Sequence, residues 1–364
     1  MYDVIVVGAR CAGAPTAMLL AQQGHRVLMV DRDTFPSDVI STHFIHPFGV
    51  NQLARFGALD RLLATGMPRL SGTRFHMGGE VEENAFGETP DGDPIFALAP
   101  RRTVIDPILA DAAVEAGVEF RQGFSVQDLL CDESGVVTGV RGRHDGADAT
   151  EEATIVIGAD GMHSRVARVV EAEEYAKVPT LLCGYYAYMG NLPSDVATFG
   201  IEPGFGASLV FPTHDQQSCV AVAWPIERLA EVRSDVEGHL RSAISRLIPE
   251  FAEAMTTPEG GLKTLGMADM PHFIRKPYGP GWALLGDAGY HLDPVNGLGM
   301  SNAFDQAVWL AEAVGDGLSG AQQMEQALAA FQQHRDEAMQ ERYDGNLAQS
   351  RMVVGAAAGA PASH

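Results

Sequence analysis

The run MYDVIVVGARCAGAPTAMLLAQQGHRVLMVD, Met1 to Asp31, decides the reading of the whole chain. Tyr2 to Val7 is apolar and β-branched with no charge after Asp3, the pattern of a strand buried on both faces. Gly8 ends it, and the turn Gly8-Ala9-Arg10-Cys11-Ala12-Gly13 opens a helical stretch, Ala14 to Gln23, whose small residues suit close packing on a sheet. Arg26 to Val30 reads as a second strand, closed by Asp31. Strand, glycine turn, helix, strand and terminal acid form a dinucleotide-binding unit, in which phosphate oxygens meet helix N-terminal amides and the acid takes ribose hydroxyls. The adenosine half of a cofactor is expected here. Arg10 stands at the usual middle glycine of G-x-G-x-x-G. A side chain there obstructs backbone approach to a pyrophosphate, unless it swings out to pair with phosphate or with another carboxylate.

With 364 residues, 46% hydrophobic and 20% charged, the chain is long enough for two lobes around a large core. Its net charge of −22 argues against nucleic acid and against an anionic membrane surface as partners. Cys11, Cys131, Cys183 and Cys219 lie far apart, without the spacing of a zinc site or a disulfide framework, so no metal is expected. A strand starting at residue two leaves no room for a signal peptide, and no apolar run reaches the roughly 18 residues of a membrane span. A cytoplasmic, reduced protein is the expectation; nothing indicates an oligomeric state.

Beyond Asp31 the loop from Arg32 leads to Ser41-Thr42-His43-Phe44-Ile45-His46-Pro47, which places His43 and His46 in a loop as candidate functional imidazoles. Val50, Leu53 and Phe56 mark an amphipathic helix stopped by Gly57. Residues 73 to 100, with Gly-Gly and Pro-Asp-Gly-Asp-Pro turns, read as strands of a separate antiparallel sheet. Ile108 to Ala116 is helical, Val118 to Phe120 a further parallel strand, and Ser125 to Leu130 with Val136 to Arg141 a hairpin. A second buried strand, Ala153 to Ile157, runs into Gly158-Ala159-Asp160-Gly161, where a carboxylate can emerge at the carboxyl edge of a parallel sheet. Three apolar runs between 178 and 225 suit the second sheet, and Ile226 to Ile248 reads as helical. A third buried strand, ending in Leu284-Leu285-Gly286-Asp287, leads through Ala288 to Asn296 and Gly297-Leu298-Gly299 into a long helix from Met300 to about Val314. That helix aims free amides at whatever lies above the sheet, and a flavin with negative charge at N1 and O2 is what such amides would stabilise. Gln322 to Gln349 is a polar amphipathic helix, and residues 351–364 are expected to form a disordered tail.

In order and spacing these three motifs resemble the single-component flavoprotein monooxygenases of the p-hydroxybenzoate hydroxylase class, with geranylgeranyl reductases and flavin-dependent halogenases as cousins. The resemblance covers the chain up to about residue 345. It implies an α/β fold: a Rossmann-like FAD-binding domain with a parallel sheet of the glutathione-reductase type, an inserted antiparallel substrate domain and C-terminal helices. The implied boundaries are 1–72, 98–175 and 270–350 for the FAD domain and 73–97 with 176–269 for the substrate domain. By the same resemblance Gly8, Arg10, Cys11, Ala12 and Gly13 lie on the pyrophosphate, and Asp31, with Arg32 beside it, meets the adenosine ribose. Arg102 holds the cofactor over the first helix, and Val126 meets the adenine edge through its backbone. Asp160 and Gly161 support FAD and transient nicotinamide binding, and Asp287 takes the ribityl chain. Pro294, Gly297, Leu298, Gly299 and Met300 face the isoalloxazine.

The implied reaction is hydroxylation of an aromatic or polyketide-like small molecule: NAD(P)H reduces FAD, O2 adds at C4a, and the hydroperoxide delivers oxygen. His43, His46 or His291 could act as base toward a phenolic substrate. Ser41 stands where many hydroxylases place an arginine, and Asp293-Pro294 is closer to the reductases, so reduction of a carbon–carbon double bond is an alternative. Trp224-Pro225-Ile226 is only a fragment of the W-x-W-x-I-P stretch, which argues against halogenation. A non-catalytic flavin-binding protein, motivated by Arg10, is the third reading.

Overall fold

The computed structural model describes residues 1–190, 192, 194–257 and 262–355. Its first sheet has eight strands. Trp282–Leu284, Ala147–Gly158, Tyr2–Val7, Val27–Asp31 and Glu119–Gln122 lie side by side in that order, every neighbouring pair parallel. Alternation in the first strand explains its unbroken hydrophobicity. Val4 and Val6 pack into a core beneath helices Gly13–Gln22, Arg102–Glu115 and Gly299–Ser319, while Ile5 and Val7 face a second core under the antiparallel strands Ser125–Cys131 and Val137–His144.

The strand read from 153 begins at Ala147. Its first half, through Glu152, pairs antiparallel with Val137–His144, and its second half pairs parallel with Tyr2–Val7, so one strand serves both parts of the sheet. The polar alternation of 147–152 hides it from a search for buried apolar runs.

The second sheet has seven strands. Thr264–Met267, Leu182–Gly190, Gln217–Pro225, Gly206–Pro212 and Ala197–Glu202 are antiparallel neighbours. The hairpin Gly72–Met77 and Glu80–Ala85 joins through a parallel pairing with Ala197–Glu202, the one departure from the expected antiparallel sheet among the described residues. Residues 86–100 contribute isolated bridges rather than strands. Cys183 and Ala187 on one face pack with Leu240 and Ile244 of helix Val236–Leu247; the other face looks toward the first sheet. The helical stretch expected from 226 to 248 is broken at Asp235, extended at φ −157°, whose carboxylate caps the second piece by accepting from Gly238 N at 2.9 Å.

A three-stranded sheet of Tyr290–His291, His272–Arg275 and Glu174–Val178 accompanies these two. The C-terminal helix runs from Met324 to Val354, so residues 351–354, expected to start the tail, are its last turn; 356–364 lie outside the described residues.

Candidate functional site

All the parallel strands present their carboxyl ends at one edge, where Asp31 and Gly158 end two of them and Gly8 and Leu285 follow two others. Gly8 has φ +103°, and a Cβ on it would sit 2.3 Å from the Ala159 carbonyl oxygen; a Cβ on Gly13 would sit 1.8 Å from the oxygen of Gly8. These two glycines therefore let the first helix start close above the sheet. That helix has no side-chain cap and no acid in its first turn, leaving its amides available at the edge.

Arg10 does not cross the loop. Its guanidinium turns back to Asp106 Oδ2 at 2.6 Å and Asp33 Oδ2 at 2.8 Å, the second of the two ways such a residue could avoid a pyrophosphate. Asp106 is fully buried and also accepts from Arg102 Nε at 3.0 Å and from Cys11 Sγ at 3.3 Å. Burial works against the Arg102 charge, yet Asp106 holds the guanidinium above its usual range; burial pushes the Cys11 thiol up. Asp106 was not anticipated. Arg102 and Asp106 stand at i and i+4 on one helix, but Arg10 and Cys11 lie about a hundred residues away in the chain.

Asp31 accepts from Ala9 N at 2.8 Å and Asp33 N at 2.9 Å; burial raises its carboxyl, with those two amides working in the opposite direction. Its carboxylate thus buttresses the glycine loop as well as lining the cavity beside Arg32 and Val126. Asp160 is likewise engaged, by Ser164 Oγ and by Arg165 and Val166 amides, while Gly161 has φ +80°. Asp287 differs. It stands exposed on a single turn between buried Gly286 and Ala288, and its carboxylate makes no hydrogen bond with a described residue. Gly286 N is held by the buried Gln306 Oε1 at 3.1 Å, a support not foreseen.

Beyond Asp287, Asp293 caps the turn Pro294–Asn296, Gly297 takes φ +64°, and helix Gly299–Ser319 begins without a side-chain cap or a first-turn acid. A Cβ on Gly299 would meet nothing within 4 Å, so the backbone there opens onto free space. Pro294, Gly297, Gly299 and Met300 line the cavity; Leu298 packs with the cluster around Tyr290 and Met339.

The three candidate histidines separate. His43 is buried with φ +39°, its Nε2 is 2.9 Å from Tyr188 Oη, and burial pulls its pKa down to about 3. His46 sits between Phe44 and Phe48 outside the cavity lining, with Nε2 2.9 Å from the Asn296 carbonyl. His291 lines the cavity, and its Nδ1 contacts the Pro271 carbonyl. A carbonyl can only accept, so Nδ1 carries a hydrogen, and in the neutral ring the lone pair is on Nε2.

The cavity, about 870 Å³, runs from Asp31 and Val126 past Gly8, Arg10, Cys11 and Ala12 to Asp287 and Gly299, then under the second sheet. Two bare helix N-termini, a free carboxylate between them and a glycine opening at the far end fit an extended dinucleotide. Among the described residues no group of three His, Cys, Asp or Glu is arranged to hold a metal, and no helix is long and apolar enough to cross a membrane.

The profile of a family described as an FAD binding domain matches residues 1–345. A digeranylgeranylglycerophospholipid reductase from Methanosarcina mazei is 27% identical over 332 residues, 87% of this chain and 76% of the relative. The aklavinone 12-hydroxylase of Streptomyces peucetius is 29% identical over 231 residues, 54% of this chain and 46% of the relative. Among solved structures, the myxobacterial chondrochloren halogenase superposes with a TM-score of 0.85 at 24% identity, over 96% of this chain and 83% of its own, a likeness of fold.

Proposed function

The chain belongs to the FAD binding domain family of flavin-dependent oxidoreductases, and from that premise we propose that it is an FAD-dependent monooxygenase, hydroxylating an aromatic or polyketide-like small molecule with O2 and NADH or NADPH. One observation carries the reading: a single cavity joins the dinucleotide loop, the open backbone at Gly299 and an apolar chamber under the second sheet. Bound FAD supplies the redox and oxygen chemistry. Gly8 to Ala12 and Asp31 hold its adenosine diphosphate half, Asp287 its ribityl hydroxyls, and the amides at Gly299 and Met300 the electron-rich edge of its ring. Leu292, Val295 and Met300 keep water from the reacting face. His291 is the proposed base: its Nε2 lone pair accepts a proton from a substrate hydroxyl, whereas His43 is committed to Tyr188 and His46 lies outside. His291→Gln then lowers kcat by about 10²–10⁴ while bound flavin stays at wild-type level. We place the protein in the cytosol, where its four free cysteines stay reduced.

The test is turnover under isotopically labelled dioxygen with each nicotinamide and a panel of phenols, naphthols and polycyclic quinones. Substrate-stimulated nicotinamide oxidation with label in the product supports hydroxylation. Oxygen-independent turnover with nicotinamide-derived hydrogen in the product supports the second reading, reduction of a carbon–carbon double bond, which the similarity to the Methanosarcina reductase favours. The reading as a non-catalytic binder loses its motive, since Arg10 leaves the phosphate loop clear.

A further inference from the structure

The charged residues of the cavity wall come from Asp31, from the loops that follow first-sheet strands, from helix Arg165–Val169 and from Arg102; every lining residue supplied by the second sheet is uncharged. On that sheet a lateral row crosses four strands: Met267 pairs with Gly184, Gly184 with Ala223, and Ala223 with Ala207. Three of its four members are glycine or alanine. Leu182 and Tyr186 stand two residues to either side of Gly184 on the same face, so the row is the floor of a trough between them.

Gly184 itself is informative. Its φ is not positive, and a Cβ would make only ordinary contacts, 3.7 Å from Met270 Cε and 3.8 Å from the Val222 carbonyl oxygen. Neither backbone conformation nor packing requires glycine at this position, and glycine weakens a strand. What a side chain there would take away is space in the trough.

Tyr186 and His291 bring polar groups to this space. Tyr186 Oη accepts from Ser41 N at 3.4 Å, and burial pushes its pKa up to about 12, so its own hydrogen stays available to a ligand oxygen. His291 presents Nε2 as an acceptor. Arg10 and Arg102 are spent on Asp106, and Arg101 on Asp215 and the Tyr188 ring; the other arginines of the cavity wall, Arg32, Arg165 and Arg168, follow strands of the first sheet. A carboxylate or phosphate in the trough would lose its hydration with no cation from the second sheet to replace it.

We propose that the substrate portion bound under the second sheet is an uncharged, oxygen-bearing ring system lying over Gly184, Ala223 and Ala207, and that Gly184 sets its size. This rests on the cavity assigned above as the substrate site, and its test needs no turnover. The flavin absorbance of oxidised holoprotein is titrated with 1-naphthol and with 1-naphthoate, equal in ring and different in charge. Naphthol is expected to perturb the spectrum and to bind at least tenfold more tightly than naphthoate. Gly184→Val, which adds volume in a strand that favours valine, is expected to keep bound FAD and thermal midpoint while weakening naphthol at least tenfold. Naphthoate binding as tightly as naphthol, no perturbation by naphthol, or unchanged naphthol affinity in Gly184→Val overturns the assignment. If these results hold and no substrate takes up label from dioxygen, the monooxygenase reading fails and the trough stands.

Discussion

Asp106 is the residue on which the phosphate loop turns. Fully buried, it pairs with both Arg10 and Arg102 and, with Asp33, draws the Arg10 side chain back from the loop. Asp106→Asn leaves Arg102 without a carboxylate partner and Arg10 with Asp33 alone; the expected cost is about 3–5 kcal/mol in denaturant unfolding, with weaker FAD binding as Arg10 is held less firmly. Unchanged unfolding would mean that the pairing contributes nothing. His43 makes a different prediction, about acid. Its folded pKa is near 3 and its unfolded value about 6.5, so between these the unfolded chain binds a proton that the folded chain refuses. Stability from this group is complete above the unfolded pKa and is lost as pH falls, at up to about 1.4 kcal/mol per pH unit. Asparagine tolerates the φ of +39° and does not titrate, so the thermal midpoint of His43→Asn should fall less steeply than wild type between pH 6 and pH 4. Equal slopes would place the acid sensitivity elsewhere.

The C-terminal helix Met324–Val354 acts on the site without reaching it. Arg335, fully buried, donates to the Arg275 carbonyl at 3.0 Å, and Tyr290 Oη donates to Met339 O at 3.2 Å. Asn346 and Ser350 donate to Asp293 at 3.0 and 2.7 Å, and Asp293 in turn caps the turn that leads to Gly297 and Gly299. Ser350→Ala removes one bond to a buried carboxylate, with an expected loss of about 1.5–3 kcal/mol and faster FAD release. Wild-type stability and FAD off-rate in that variant would separate the helix from the site. Little of this brace was legible in the sequence. Periodicity marks a helix over Gln322 to Gln349, but nothing in it singles out Asn346 or Ser350, because their partner lies more than fifty positions back. Likewise Asp293-Pro294 was read for its family likeness, whereas its carboxylate is internal. The first strand, glycine turn and helix were legible because their logic is local: alternation, steric need at Gly8 and Gly13, and a free helix start all lie within about twenty residues. The antiparallel half of the strand from Ala147 was not, since its polar pattern carries no signature of burial.

At the scale of the molecule, two sheets enclose one cavity, its charge on the side of the first sheet and its apolar surface on the second. The motifs revealed the charged side; the trough was invisible, because small residues announce themselves only once strand register aligns Gly184, Ala223 and Ala207. The domain boundaries drawn from the motifs remain our proposal: the second sheet takes its strands from 72–85 and 182–267, while Glu174–Val178, which straddles the boundary at 175, pairs with His272–Arg275. The central claim is that FAD lies extended from Asp31 to Gly299 with Asp287 on its ribityl chain, and titration of apoprotein tests it most directly, using FAD, FMN and ADP in wild type, Asp287→Ala and an Asp38→Ala control. The account predicts one FAD per chain, bound far more tightly than either fragment. Asp287→Ala should weaken FAD and FMN about ten- to a hundredfold, the loss of a charge-assisted hydrogen bond of about 1.5–3 kcal/mol, and leave ADP and the control unchanged. FMN binding as tightly as FAD, or an Asp287→Ala variant that loses ADP as much as FMN or loses nothing, would contradict it.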